Sequence, residues 1–478
     1  MKSRRKFIQQ VGILSTAALL NNYKAFAYQT ETFKSKRPSI ANRKFTSDAV
    51  EATILDIKRK IADPELAWLF ENCFANTLDT TVDFEMVNGK PDTYVITGDI
   101  DAMWLRDSSA QVWPYLPLIK KDKKLNELIA GVIHRQKKCI LLDPYANAFY
   151  KDPNKISEWK NDLTKMKPGI HERKWEIDSL CYPIRLAYKY WNISGETSVF
   201  DTEWVKTIEL TVQTFKEQQR KTNLGPYSFQ RTTAWATDGV AMSGYGYPVK
   251  PTGLICSLFR PSDDACIYSF HIPANFFAIV SLRQAAEMLH KIHANEPLAK
   301  ECNELANEVE KAIYKNAIVD HPDFGKIFAY EINGFGSTNL MDDANVPSLL
   351  ALPYLDAIKI TNPIYINTRK YVLSNANPFY FTGKVAEGTG GPHAGMNMIW
   401  PIGIIVRGLT TGNEAEIRHC LHLLKTTHAD TGFIHESFDK DDAKVFTRKW
   451  FAWANTLFGE FIINTNLTHP TILGVKNI

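Results

Sequence analysis

Residues able to move protons or grip hydroxyl groups recur in this sequence at one kind of place, directly before a short, almost wholly apolar stretch of helical length. The clusters are Trp104-Leu-Arg-Asp107, Glu176-Ile-Asp178, Arg260-Pro-Ser-Asp-Asp264, Asp342-Asp343, Gly390-Gly-Pro-His393 and Arg448-Lys-Trp450. In the first, Arg106 and Asp107 beside Trp104 offer a fork of donors, a bidentate acceptor and a flat apolar wall, the groups that hold vicinal hydroxyls. Helix capping accounts for Asp107 or Ser108 but leaves Trp104 and Arg106 unexplained. In the third, Ser262 or one aspartate suffices as a cap, so two adjacent carboxylates exceed that need. A carboxyl group there, partly desolvated and beside like charge, has its pKa raised enough to serve as a general acid. Phe433-Ile-His-Glu-Ser437 carries a further carboxylate. An ordinary solvated loop glutamate is the plain reading, but apolar Phe433 and Ile434 predict a loop that dips inward, where Glu436 can activate water.

These groups need elements to position them. Six candidate helices are amphipathic: Asp63–Leu78, Lys123–Leu142, Asp201–Gln219, Pro297–Val319, Pro363–Leu373 and Glu414–His428. Six more are apolar on nearly every side and require burial all round: Ser109–Ile119, Ser179–Trp191, Pro273–His290, Val346–Leu355, Met396–Leu409 and Phe451–Ile463. Their alternation predicts an all-α fold, an (α/α)6 barrel of six helical hairpins with the buried members inside. Links from buried to amphipathic helices are short, as at 120–122, 293–296 and 410–413. Links in the other direction, 144–178, 222–271, 374–392 and 429–449, are long and fall on one face, where a stable scaffold carries a site. The longest, 222–271, is expected to contain short strands. In a ring of six hairpins the third and sixth inner helices face one another, which sets Asp263 or Asp264 across a pit from Glu436. Inverting glycoside hydrolases use that arrangement, with carboxyl groups roughly 6.5–9.5 Å apart and water between.

Bulk composition bounds the alternatives. The 478 residues are 45% hydrophobic and carry a net charge of +4, enough for a large core and too little charge to imply a nucleic-acid partner. Seven cysteines without a CxxC pair give no disulfide framework. The glycines of Gly388-Thr-Gly-Gly-Pro-His393 lack the Lys-Ser/Thr of a phosphate-binding loop and instead let the backbone turn so that His393 approaches a ligand. The pairs His290/His293 and His419/His422 have a spacing open to metal, but no carboxylate pattern accompanies them; no metal and no cofactor are expected. No Gly-x-Ser-x-Gly elbow is present. Lys2-Ser-Arg-Arg-Lys-Phe7, the apolar run 11–20 and Ala25-Phe-Ala27 read as a cleavable twin-arginine-like signal peptide over 1–27. A flexible segment over 28–48 and one catalytic domain over 49–478 follow. The mature protein is expected to be exported, periplasmic and without a membrane anchor.

The motifs Asp99-Ile-Asp-Ala-Met-Trp-Leu-Arg-Asp-Ser108, Phe259-Arg-Pro-Ser-Asp-Asp264, Leu340-Met-Asp-Asp343, Gly388-Thr-Gly-Gly-Pro-His393 and His435-Glu436, in this order over residues 50–465, resemble glycoside hydrolase family 125. The resemblance implies an (α/α)6 barrel and a metal-independent, inverting exo-α-mannosidase acting on terminal α-1,6-linked mannose of N-glycan or mannan oligosaccharides. It implies a general acid within Ser262-Asp-Asp264, with Asp263 favoured, and Glu436 as general base. Arg106, Asp107, Arg260 and His393 match positions expected to grip the terminal sugar, and Trp104, Asp264 and Asp343 join them as expected substrate-binding residues. Rival readings are another helical-barrel enzyme (glucosidase, phosphorylase or lyase) and a mannoside-binding protein without catalysis.

Overall fold

A computed structural model describes residues 33–476; the leader expected over 1–27 lies outside them. The helices that build the architecture are α1 (Asp48–Lys60), α2 (Pro64–Phe74), α3 (Leu105–Val112), α4 (Lys123–Leu142), α5 (Ile177–Ser194) and α6 (Thr202–Gln218). They continue with α7 (Ile272–His293), α8 (Glu296–Asn316), α9 (Pro363–Val372), α10 (Pro401–Leu409), α11 (Glu414–Thr426) and α12 (Ala452–Thr468). Inside, α3 packs on α5, α5 on α7, α10 on α12, and α12 returns to α3. Outside, α4 lies on α5, α8 on α7, α11 on α10 and α2 on α12, while α6 bridges α4 and α8. The result is an (α/α)6 barrel, and its sides follow from sequence. In α12 the buried residues run without a break from Ala452 to Gly459 and so lie on every side of the helix. In α8, Leu298, Cys302, Leu305, Val309 and Ile313 are buried at helical spacing, with charged residues between them.

The two rings start their helices differently. Each outer helix is capped by a side chain: Asp63, Asp122, Asp201, Asn295, Asn362 and Asn413 accept from backbone N–H groups of the first turn. The inner helices begin at Trp104, Glu176, His271, Trp400 and Phe451, none of which makes a side-chain cap bond. The polar residues at the inner starts are therefore free for other partners. Short strand pairs tie the long loops together just before these starts. Met103–Trp104 pairs with Ala148–Phe149, Phe270–His271 with Glu331–Ile332, and Met398–Ile399 with Phe438–Asp439.

Several expectations need correction. Residues 346–355, expected as the fourth inner helix, are buried turns. Pro347 and Pro353 remove two backbone donors, and the Asp342 carboxylate accepts from Leu349 N (2.8 Å) and Leu350 N (3.0 Å). This segment still closes the ring: Tyr182 of α5 donates to Val346 O and Tyr365 of α9 to Leu350 O, both at 2.9 Å. The stretch expected as a helix over 109–119 is α-helical only to Val112 and continues as a 3-10 helix over Trp113–Lys121, which holds Pro114 and Pro117. The helix expected from Met396 begins only at Pro401. Within 222–271 the only regular strand is Phe270–His271. Helix α1 was not expected, although Ser47 caps it at Val50 N. Of the segment expected to be flexible, residues 33–47 lie against the barrel. Arg37 is buried between Asp79 (2.7 Å) and Glu51 (2.5 Å).

Candidate active site

At the starts of the inner helices lies a cavity of about 350 Å³, within the usual range of roughly 300–1,000 Å³ for small-molecule sites. Trp104, Arg106, Asp107, Asp263, Asp264, His393 and Glu436 line it, all from the expected set. Arg106, fully buried, is the hub of one wall. Its Nη1 donates to Glu176 Oε2 (2.6 Å) and Asp178 Oδ2 (3.2 Å) from the start of α5, and its Nη2 to Asp263 Oδ1 (3.0 Å). Its Nε lies 3.5 Å from Asp107 Oδ2, and its guanidinium sits 5.9 Å from the Trp453 ring. His393 Nδ1 lies 3.4 Å from Asp264 Oδ1. Arg448 Nε lies 3.4 Å from Glu436 Oε1. All six sequence clusters thus meet at the cavity or directly behind it.

Asp263 is presented by a tight turn. Asp263 N donates to Arg260 O, Arg260 N donates to Asp264 O, and Phe259 bridges Ala265. Pro261 fits the second position of such a turn, and Asp263 itself adopts φ +66°, a left-handed conformation that aspartate tolerates better than most residues. Lys174 Nζ donates to the Asp263 carbonyl at 3.0 Å and holds the turn from behind. Glu436 reaches the cavity from a pinned loop. Ile434 N donates to Asn455 Oδ1, Phe451 N to Ile434 O, and His435 stacks on Phe446 with ring centroids 3.9 Å apart. Gly432 (φ +76°) lets the loop pass Trp68, since an added Cβ would lie 2.7 Å from its ring. Gly391 permits a similar approach of the backbone to the Asp343 carboxylate, 2.8 Å from where a Cβ would stand.

Charge is distributed unevenly. Burial pushes Glu176 far up, against the opposing pull of Arg106. Burial raises Asp107 and Asp178 to about 6 each, in both cases partly offset by Arg106. Asp263 moves the other way: burial works against its charge, but Arg106, Lys174, the hydrogen bond with Glu176 and His393 together hold it well below the ordinary carboxylate range. Burial lowers His393, but the bond to Asp264 and the charges of Asp264, Asp263 and Glu436 outweigh it and raise the imidazole to about 9. His393 thus sits in the combined field of Asp264, Asp263 and Glu436, which favours its cationic form.

Two expected residues stand apart. Arg260 does not line the cavity; its Nε donates to Glu331 Oε1 at 2.7 Å in a fully buried pair beside Tyr330. Arg260 and Asp263 stand at the two ends of the tight turn, the first with its side chain in the core and the second lining the cavity. Asp343 lies one layer behind, accepting from Ser262 Oγ at 3.0 Å and from Asn345. Sequence reading missed Lys174, Arg231 and Asp238, which line the cavity and are joined by ion pairs: Lys174–Asp238 at 2.5 Å and Arg231–Asp238 at 3.0 Å. Only Lys174 had a signal, its place in the polar run His171-Glu-Arg-Lys-Trp-Glu176. Trp159, Trp235 and Trp400 also line the cavity. His290 pairs with Glu296, His293 stacks on Trp204, and His419 lies 3.3 Å from Glu387. Among the described residues no group of three or more His, Cys, Asp or Glu side chains is disposed to hold a metal.

An (α/α)6 barrel whose loop face gathers carboxyl groups among arginine and tryptophan is built as a carbohydrate-active enzyme. The chain belongs to glycoside hydrolase family 125, the metal-independent α-mannosidases, whose family model matches residues 63–463. It is similar to a metal-independent α-mannosidase of Streptococcus pneumoniae, solved in a non-productive substrate complex with α-1,6-mannobiose. That likeness has 39% identity and a TM-score of 0.84 over 88% of this chain and 99% of that one. The meiotically up-regulated gene 157 protein of Schizosaccharomyces pombe is 42% identical over 457 residues, 92% of this chain and 89% of the relative. A bacterial glucoamylase solved with acarbose shares the fold alone, at 14% identity and a TM-score of 0.52, over 90% of this chain and 58% of that one.

Proposed function

We propose that this α-mannosidase removes single terminal, non-reducing α-1,6-linked mannose units from N-glycan or mannan oligosaccharides, with inversion at the anomeric carbon. The observation that carries this reading is that Asp263 and Glu436 line one cavity from loops preceding the third and sixth inner positions of the ring. The likeness to an enzyme solved with α-1,6-mannobiose supports the linkage.

In this reading Asp263 delivers a proton to the departing glycosidic oxygen. Glu436, 3.4 Å from Arg448, takes a proton from water attacking the opposite face of the anomeric carbon. The transition state resembles an oxocarbenium ion and the sugar leaves as β-mannose. Arg106 stays buried behind the acid, while Asp107 and the His393–Asp264 pair face the terminal sugar with both acceptors and charged donors. Long loops around the cavity favour removal of one unit at a time. The leader read over residues 1–27 directs the enzyme to the periplasm.

Reducing-end-labelled α-1,6-mannotriose, incubated with excess chelator, tests linkage, direction and metal independence together. Unlabelled mannose and labelled mannobiose should appear first. Early release of labelled mannose, or abolition of activity by the chelator, contradicts the proposal.

A further inference from the structure

The acid proposed above presents a difficulty that its surroundings resolve. Arg106 and Lys174 favour the ionised form of Asp263, yet an acid must carry a proton. Directly behind it stands Glu176, whose side chain is 0% exposed against 24% for Asp263. Glu176 Oε2 accepts from Arg106 Nη1 (2.6 Å) and from Ser179 Oγ (2.8 Å). Its other oxygen, Oε1, is buried with no hydrogen-bond partner, and Asp263 shares the same guanidinium through Nη2. A buried carboxyl oxygen with no donor to accept from is accommodated at least cost when the carboxyl group holds a proton. Charge counting demands the same. The single guanidinium of Arg106 has four carboxyl groups within 3.5 Å, those of Glu176, Asp178, Asp263 and Asp107. Asp263 is partly exposed and also faced by Lys174 and His393, which leaves the buried Glu176, Asp178 and Asp107 gathered on Arg106, too costly an arrangement for all three to remain ionised.

We propose that Glu176 is a positioning residue that stores the proton of the acid, so that one proton lies between Glu176 and Asp263 and passes through Asp263 to the leaving oxygen. The inference rests on Asp263 being the general acid. As the glycosidic bond breaks, that one proton passes from Glu176 by way of Asp263 to the departing oxygen, which leaves Glu176 ionised. Glu436 gains one proton from the attacking water, and exchange with solvent returns both groups to their starting state. Burial pushes Glu176 up while Arg106 and Lys174 pull Asp263 down, the directions that this resting arrangement requires. The other charged or titratable groups facing the pair are Asp107 from α3, Asp178 from α5, Lys174 before α5, Tyr227 in the loop after α6, and His393 before α10.

The test is the ratio of kcat/KM on α-1,6-mannobiose to that on α-mannosyl fluoride, whose fluoride departs without protonation, followed against pH. Titration of His393 affects both substrates and cancels in the ratio. In the wild-type chain the ratio should fall as rising pH removes the stored proton. In Glu176→Gln, Asp263 titrates alone against Arg106 and Lys174, so the fall should move to lower pH by more than about 1 unit. A residue that merely fills space would leave the midpoint where it is, and that result overturns the inference. Asp263→Ala separates the two levels. If it retains near-normal activity on mannobiose, the acid assignment fails and the inference with it. If it is inactive on mannobiose but active on the fluoride, and Glu176→Gln leaves the midpoint unmoved, only the proton store is refuted. Should Glu176→Gln not fold, infrared spectra of the wild-type chain decide. A protonated-carboxyl band that bleaches with the midpoint of the ratio supports the proposal, and no such bleaching overturns it.

Discussion

The wall that carries Asp263 and the wall that carries Glu436 are built in opposite ways. Asp263 belongs to a dense buried network in which Arg106 joins three helix or loop starts and Lys174 braces the turn. Glu436 is held by its loop's backbone and by one looser contact, 3.4 Å to Arg448. The difference matches the two tasks proposed for them. A group that donates needs protons kept nearby in a low-dielectric setting, whereas a group that accepts needs room for water.

The contrast is broken most directly by removing each carboxyl. Asp263→Ala and Glu436→Ala should each lower kcat on α-1,6-mannobiose by about 10²–10⁴-fold. On α-mannosyl fluoride, Asp263→Ala should keep most of its rate and Glu436→Ala should not. Equal losses on both substrates would erase the distinction between the walls. Next, Arg260→Ala leaves Glu331 buried and unpaired, which should cost about 3–5 kcal/mol in urea unfolding while kcat per folded molecule survives. A large fall in kcat with an unchanged unfolding midpoint would return Arg260 to the sugar site. A smaller effect is expected for His393→Gln, a loss of about 1.5–3 kcal/mol in kcat/KM, from the missing charged hydrogen bond. Because the His393 pKa is raised to about 9, its charge is present below that pH and lost above it. The gap between wild type and variant should therefore close as pH rises through 9, and a constant gap would contradict a cationic role. Smallest is Gly432→Ala, whose new Cβ would stand 2.7 Å from Trp68 in a positive-φ position. It should cost about 1–3 kcal/mol in stability and lower kcat, because the loop bearing Glu436 must shift. An unchanged kcat would mean that the loop holds the base by other means.

Much of this was legible in sequence because burial has a readable signature. Helices without a polar face, such as α12, have to lie inside, and alternation with capped amphipathic helices gives the barrel. The same signature misled at residues 346–355, where an apolar stretch is equally compatible with buried turns. There the Asp342 carboxylate, not a helix, satisfies two backbone N–H groups. Around the site, clusters at helix starts were readable because they exceed what capping uses. Which way each residue points was not, so Arg260 turned out to be part of the core. Lys174, Arg231 and Asp238 come from long loops without periodicity, and only folding brings them together. Glu176 and Asp178 were visible as a cluster, but their role depends on the Arg106 geometry, which no spacing reveals.

The central claim is that Asp263 and Glu436 act from opposite sides of one bound mannose. Proton NMR of α-1,6-mannobiose hydrolysis, recorded before mutarotation, reads this directly in the anomer first released. The account predicts β-mannose; α-mannose as the first product would contradict it.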